Sequence, residues 1–209
     1  MIKRISIFLM FNLLFFSSFA QELREFSNSE KTEIAKNLLS KSEQILSLQC
    51  NFVQEKTSSL VSEKSVSQGI LQFKNPEFLR WEYTSPNVIS LICNGKDVAL
   101  INDKGEKRDA KTFRQLGEFI TSAINGKGLL DNKNFAVAYF EFDKQFILLR
   151  LTPINKRLKA FYEKIEMKID SNTGLAHEIT MCEVSGDKTV ITLKNHKANI
   201  EILDSKFQF

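Results

Sequence analysis

The sequence is poor in the residues that usually carry chemistry. It has only two histidines, His177 and His196. His177-Glu178 lacks the second histidine of a zinc-protease helix, and neither histidine has a neighbour at metal-ligand spacing. Both are therefore expected at solvated strand or loop positions, and no metal site is assigned. There is no Gly-x-Ser-x-Gly elbow, no glycine loop able to cradle a phosphate, and no cysteine set beside a histidine at a helix start. Catalytic triads can assemble from distant residues, but no motif supports one here. No catalytic or cofactor-binding residue is assigned, and the expectation is a binding protein that needs no cofactor. Cysteine is scarce and odd in number: Cys50, Cys93 and Cys182 lack any Cys-x-x-Cys spacing, so at least one stays unpaired within a monomer. Each lies in a strand-like segment, where a buried thiol behaves as a small hydrophobe; three free thiols are expected ahead of one disulfide.

Long apolar runs are also missing. The stretch from Ile5 to Phe16 is too short to span a bilayer, which takes about 20 residues. It follows Lys3-Arg4 and precedes Ser18-Phe19-Ala20, the order of a secretory signal peptide, with cleavage expected after Ala20. Residues 1–20 are thus read as a signal peptide and 21–209 as a single domain of an exported chain. No cysteine follows the cleavage site directly, so the mature N-terminus is not expected to be lipidated. Loss of Lys3 and Arg4 leaves 27 basic residues against 25 acidic ones. The charges are interspersed as on a solvated surface, and the near-neutral balance predicts no polyanion partner; no nucleic acid is expected and a monomer is.

Ser27 followed by Glu30 forms a capping-box pattern, and Ile34, Leu38, Leu39, Ile45 and Leu46 recur at helical spacing, predicting an amphipathic N-terminal helix. From Leu48 the period changes to two, with Leu48, Cys50 and Phe52 on one side. Further strand-like runs are Val66–Phe73, Phe78–Thr84, Val88–Cys93, Asp97–Ile101, Asn134–Phe142, Phe146–Thr152, Phe161–Ile169, Leu175–Val184, Thr189–Lys194 and Ala198–Leu203. Short turn signals such as Asn75-Pro76, Ser85-Pro86, Asn94-Gly95 and Ser185-Gly186-Asp187 connect neighbours as antiparallel hairpins. About 10–11 strands are too many for a flat open sheet, so a curled or barrel-like one is expected. Within Lys111–Asn125, Phe113, Leu116, Phe119, Ile120 and Ile124 lie on one helical face, closed by Gly126 and Gly128, predicting a second amphipathic helix. Phe161, Ile165, Met167 and Ile169 alternate with charged residues, whereas Asn134–Phe142 and Phe146–Leu151 are apolar on both faces. Such an interior is either filled core or ligand cavity, and periodicity does not separate the two. The terminal Phe207-Gln208-Phe209 is similar to the aromatic end of outer-membrane barrels, but Phe161–Asp170 would turn its charges to lipid or bury them.

From Asn51 to Asp97 the chain resembles the periplasmic outer-membrane lipoprotein carrier family, LolA-type. The residues that carry the likeness are Asn51-Phe52-Val53-Gln54, Gly69 through Pro76, Phe78-Leu79-Arg80-Trp81-Glu82-Tyr83, Ser85-Pro86 and Asn94-Gly95-Lys96-Asp97. The resemblance implies an α+β, mainly antiparallel fold: an incomplete half β-barrel whose concave apolar face is closed by amphipathic helices acting as a lid. It implies a periplasmic carrier that shelters lipoprotein acyl chains, receives them from an ATP-driven inner-membrane exporter and passes them to an outer-membrane acceptor. Two departures stand out. Relatives carry a lid-latching arginine where this chain has Asn75, and many continue through a proline-containing tail beyond the position of Phe209.

The work suits such a chain, because each exposed methylene costs about 0.8 kcal/mol, so an acyl chain of about 16 carbons costs on the order of 12 kcal/mol in water. Leu71, Phe73, Leu79, Trp81 and Tyr83 are the expected acyl-chain contacts from the sheet, with Phe113, Leu116, Phe119 and Ile120 from the lid. Ordinary core packing is the competing role for Trp81 and Tyr83, and Arg80 with Glu82 is expected to form a surface pair. The other functional readings are a lipid- or lipoprotein-sensing regulatory module and a carrier of another lipidic product.

Overall fold

A computed structural model describes residues 23–61, 64–95, 97–110, 124 and 134–209. The chain enters through helix α1, Asn28–Glu43. Its N-cap is the Ser27–Glu30 box: the Glu30 amide donates to Ser27 Oγ, and the Ser27 amide donates to Glu30 Oε2 at 2.7 Å. Ser27, through its side chain and its amide, and the Arg24 guanidinium favour the ionised form and hold the Glu30 carboxyl down at about 2. Ala35 and Leu38 are the buried apolar stripe of α1. The helix stops at Glu43, short of Leu46, which is exposed.

The strands are β1 (Ser47–Thr57), β2 (Lys64–Lys74), β3 (Phe78–Ser85), β4 (Ile89–Asn94), β5 (Asp97–Asn102), β6 (Lys107–Asp109), β7 (Phe135–Glu141), β8 (Phe146–Pro153), β9 (Tyr162–Asp170), β10 (Ala176–Glu183) and β11 (Lys188–Ala198). A single turn of helix, α2 (Lys156–Lys159), separates β8 from β9. The strands form one antiparallel sheet in the order β6-β5-β4-β3-β2-β1-β11-β10-β9-β8-β7, with β6 and β7 as unjoined edges. Every pairing joins sequence neighbours except β1 with β11, which brings the two ends of the chain together in mid-sheet. This is the expected incomplete barrel, with few helices.

Several expectations change in detail. The edge strand β6 is not among the predicted runs, because three polar residues carry no periodic signal. The run Ala198–Leu203 is not a strand of its own: β11 extends to Ala198 and Asn199 then takes a left-handed φ of 57°. The residues after it leave the sheet and cross its outer face, where Ile202 and Phe207 pack on Ile92 beside Phe78 and Ile101. Phe161 is also not part of the inward row; it precedes β9 and is 65% exposed. All three cysteines are free, Cys50 and Cys93 buried and Cys182 only partly so.

The departure at Asn75 has a structural counterpart. Its side chain is exposed, and its amide donates to the Leu46 carbonyl at 2.9 Å. The exit of α1 is held instead by the side chain of Asn199, whose amide donates to the Gln44 carbonyl at 3.0 Å and whose carbonyl accepts from the Leu46 amide at 2.8 Å. At the far edge, Arg24–Phe26 pair with β7: the Phe26 amide donates to the Tyr139 carbonyl at 3.0 Å and the Glu141 amide to the Arg24 carbonyl at 2.9 Å. That strap leaves less of the β7 edge open to another strand.

The C-terminal tail is an integral layer. Phe207 is 1% exposed, its ring lies 5.6 Å from that of Phe78, and Asn94 and Arg80 donate to the Phe207 and Lys206 carbonyls. Phe207→Ala is therefore expected to cost about 3 kcal/mol in urea unfolding, the range for a buried aromatic truncation; a cost under about 1 kcal/mol would mean that the tail is not packed as described.

Candidate acyl-chain site on the concave face

Antiparallel register decides which side chains meet. Leu71 stands opposite Trp81, Phe73 opposite Leu79, and Gly69 opposite Tyr83 across β2 and β3. On the other side of β2, Leu48 faces Phe73, Cys50 faces Leu71, and Phe52 faces Gly69. Because alternate residues share a face, the sheet residues expected from the sequence do stand together on the inner surface. Leu71, Phe73, Leu79 and Trp81 are buried and Tyr83 is half-buried. The four lid residues expected with them, Phe113, Leu116, Phe119 and Ile120, lie outside the described residues. Ile124, from the same predicted helix, is helical and packs against the inner cluster.

An aromatic trio forms the hub of this face. The Phe52 ring lies 4.6 Å from Trp81 and 5.1 Å from Tyr83, the latter edge-on. Gly69 makes the arrangement possible. A Cβ there would sit 1.9 Å from the Glu82 carbonyl oxygen and 2.7 Å from the Phe52 ring, so only a hydrogen fits. The Tyr83 hydroxyl donates to Gln54 Oε1 at 2.9 Å. Burial pushes the Tyr83 phenol up, while Trp81 and Gln54 beside its oxygen pull the other way. Among the described residues the buried Trp81 indole N–H meets no acceptor in hydrogen-bond geometry.

Arg80 and Glu82 form the expected pair on the opposite face, at 2.8 Å. Arg80 does more than this, donating also to Ser90 Oγ at 3.0 Å and to the Lys206 carbonyl at 3.3 Å, which fixes the tail.

The inner face continues across the sheet through Leu149, Leu151, Ile165, Met167, Ile169, Ile191 and Leu193, and α1 covers part of it with Ala35 and Leu38. On this face lies a cavity of about 20 Å³ lined by Cys50, Leu71, Ile124, Met167, Leu193 and His196, among others. That volume suits a water molecule and is far too small for an acyl chain.

His196 corrects the expectation of a solvated histidine. The register of β1 against β11 shifts between Gln49 and Asn51, and Asn195 takes a φ of 57°, a bulge that turns His196 toward the interior. Its Nε2 lies 3.0 Å from the Ala176 carbonyl oxygen, and burial lowers its pKa. Burial likewise pushes the Cys50 thiol up to about 12, so it is an inert wall residue and not a nucleophile. His177 lies with its ring 5.1 Å from Phe146. Among the described residues no cluster of His, Cys, Asp and Glu could hold a metal ion.

A continuous inner sheet face, a helix laid over it and a signature region folded into its hub describe one kind of protein. A family model described as outer membrane lipoprotein carrier protein LolA matches residues 43–209, from the end of α1 through the tail. The chain belongs to this family. Among curated relatives, an outer-membrane lipoprotein carrier protein of Francisella philomiragia is 26% identical over 175 residues, 83% of this chain and 82% of that one. The namesake from Pectobacterium carotovorum is 24% identical, over 88% of this chain and 86% of its own. Among solved structures, a Vibrio parahaemolyticus domain provisionally named for outer membrane lipoprotein sorting has a TM-score of 0.52 at 14% identity, covering 86% of this chain and 97% of that one. A chain in the Pseudomonas aeruginosa MucA/MucB complex has a TM-score of 0.51 at 12% identity, covering 86% and 61% respectively. The structural likenesses establish the LolA-like fold alone.

Phe52 is part of the family signature, but its place in the hub is not foreseeable from the sequence. Its alternation with Leu48 and Cys50 marks the right face, and the missing signal is the pairing that sets it over Gly69. Gly69→Ala is expected to destabilise the protein by about 2 kcal/mol or more, as overpacking does, and to shift Trp81 emission. Unchanged urea unfolding and emission would contradict the close approach.

Proposed function

We propose that the mature chain, from Gln21 on, is a single-domain periplasmic carrier that binds lipoprotein acyl chains on the concave face and moves them from the inner to the outer membrane. The observation that carries the reading is an apolar inner face spread over most of the sheet and covered by a separate helix, in a chain of the lipoprotein-carrier family. An ATP-driven inner-membrane exporter is the donor and an outer-membrane protein the acceptor. The chemistry is sorting by solvation and needs no bond-making step.

An inner face that packs against α1 and Ile124 suits a mechanism of exchange. An acyl chain enters as these contacts withdraw from the sheet, so cargo exchanges for the protein's own apolar side chains. Each methylene the ligand buries is offset by apolar surface that the protein uncovers in making room, which keeps binding reversible. Release follows from the same exchange run backwards. Leu71, Phe73, Leu79, Trp81 and Tyr83 form the sheet side of the acyl contact, and Phe113, Leu116, Phe119 and Ile120 the lid side.

Trp81 is the sole tryptophan of the chain, so its fluorescence reports directly on this face. Titration with a triacylated lipopeptide is expected to give a saturable change in Trp81 emission. In Phe119→Glu the affinity is expected to fall by about tenfold or more with unchanged far-UV circular dichroism. A folded wild-type protein whose Trp81 ignores the lipopeptide, or a Phe119→Glu variant that binds as tightly as wild type, would reject the site.

A further inference from the structure

The strand directions gather the β1–β2, β8–β9 and β10–β11 connections at one end of the sheet. That rim holds much of the exposed apolar surface: Leu60 is 92% exposed, Phe161 65%, Val184 62%, Val61 55% and Ile154 49%. The three connections are tied to one another. The Val184 amide donates to the Phe161 carbonyl at 3.0 Å. The Ser59 amide donates to Asp187 Oδ1 at 2.9 Å, and its hydroxyl donates to the Ser185 carbonyl at 2.8 Å. Leu60 and Val61 thus stand at the same edge as Val184 and Phe161.

The charges around them are arranged unevenly. Glu183 and Asp187 are held by Lys56 at 3.4 and 3.5 Å, and Glu55 by Lys64 at 3.6 Å. Next to Phe161, α2 presents Lys156, Arg157 and Lys159, and none has an ion-pair partner among the described residues. Glu163 is the exposed acid nearest to them in sequence. Exposed aromatics elsewhere are capped differently: Lys168 lies 4.3 Å over Phe142 and Lys107 lies 4.4 Å over Phe209. Phe161 has no such cover among the described residues.

We propose that this rim is a docking surface for an anionic phospholipid bilayer. The apolar side chains project from separate turns, which suits shallow insertion among lipid headgroups better than the seating of a folded partner. The unpaired cations of α2 lie where anionic headgroups would meet them. The proposal goes beyond carriage of acyl chains and stands whether or not the concave face holds them.

The test is co-sedimentation of the mature protein with cargo-free vesicles, either phosphatidylethanolamine with phosphatidylglycerol or phosphatidylcholine alone. Wild type is expected to bind the phosphatidylglycerol vesicles and to be released by high salt, which screens the attraction. The double variants Leu60→Ser/Phe161→Ser and Lys156→Glu/Arg157→Glu are each expected to bind about tenfold more weakly. Circular dichroism and Trp81 emission are expected to match wild type, since none of these residues touches the hub. Three results would overturn the proposal: no sedimentation of the wild type, equal binding to phosphatidylcholine, or undiminished binding by both variants. Capture of an acidic protein without vesicle binding would transfer the rim to a protein partner.

Discussion

The antiparallel pairing of β1 with β11 is the constraint on which the rest of the structure depends. It joins an early strand to the last one over an extended register, from Leu48 opposite Ala198 to Thr57 opposite Lys188. With the ends of the chain committed to mid-sheet, the free edges fall on β6 and β7, which are consecutive in sequence. The sheet curls without closing. Ile124, from that connection, packs on the inner face. A continuous apolar inner surface follows from where two strands meet.

Two layers stabilise this arrangement from opposite sides. Inside, the hub of Phe52, Trp81 and Tyr83 rests on the backbone at Gly69, and α1 lies across the face with its Ala35 and Leu38 stripe. Outside, the tail from Asn199 to Phe209 clasps β3 and β4 through Phe207, Ile202 and the bonds from Arg80 and Asn94. Asn199 links the layers, because its side-chain amide binds the exit of α1 where the tail leaves β11. The exit of α1 and the start of the tail are thus held by one side chain.

Much of this is legible in the sequence where the signal is local. The Ser27–Glu30 box marks the helix start, and alternation places Leu79, Trp81 and Tyr83 on one face with Arg80 and Glu82 on the other. Signals that depend on distant pairing are not legible. Lys107–Asp109 becomes a strand only because β5 offers an edge. His196 turns inward because a bulge at Asn195 resets the alternation that a periodic reading extrapolates. Ile200 and Ile202 continue the period of Ala198, yet the left-handed turn at Asn199 carries them to the outer face. The choice between filled core and cavity is closed to periodicity, since the same inner residues serve both.

The measurement that bears most directly on the central claim is native mass spectrometry, with lipid extraction, of the mature protein purified from the periplasm. The account predicts a species carrying triacylated lipoprotein or its acylated peptide, dissociating as the lipid-modified moiety. A different lipid class in that position, or a chain that travels empty with a membrane regulator, would contradict lipoprotein carriage and return the fold to one of the other readings.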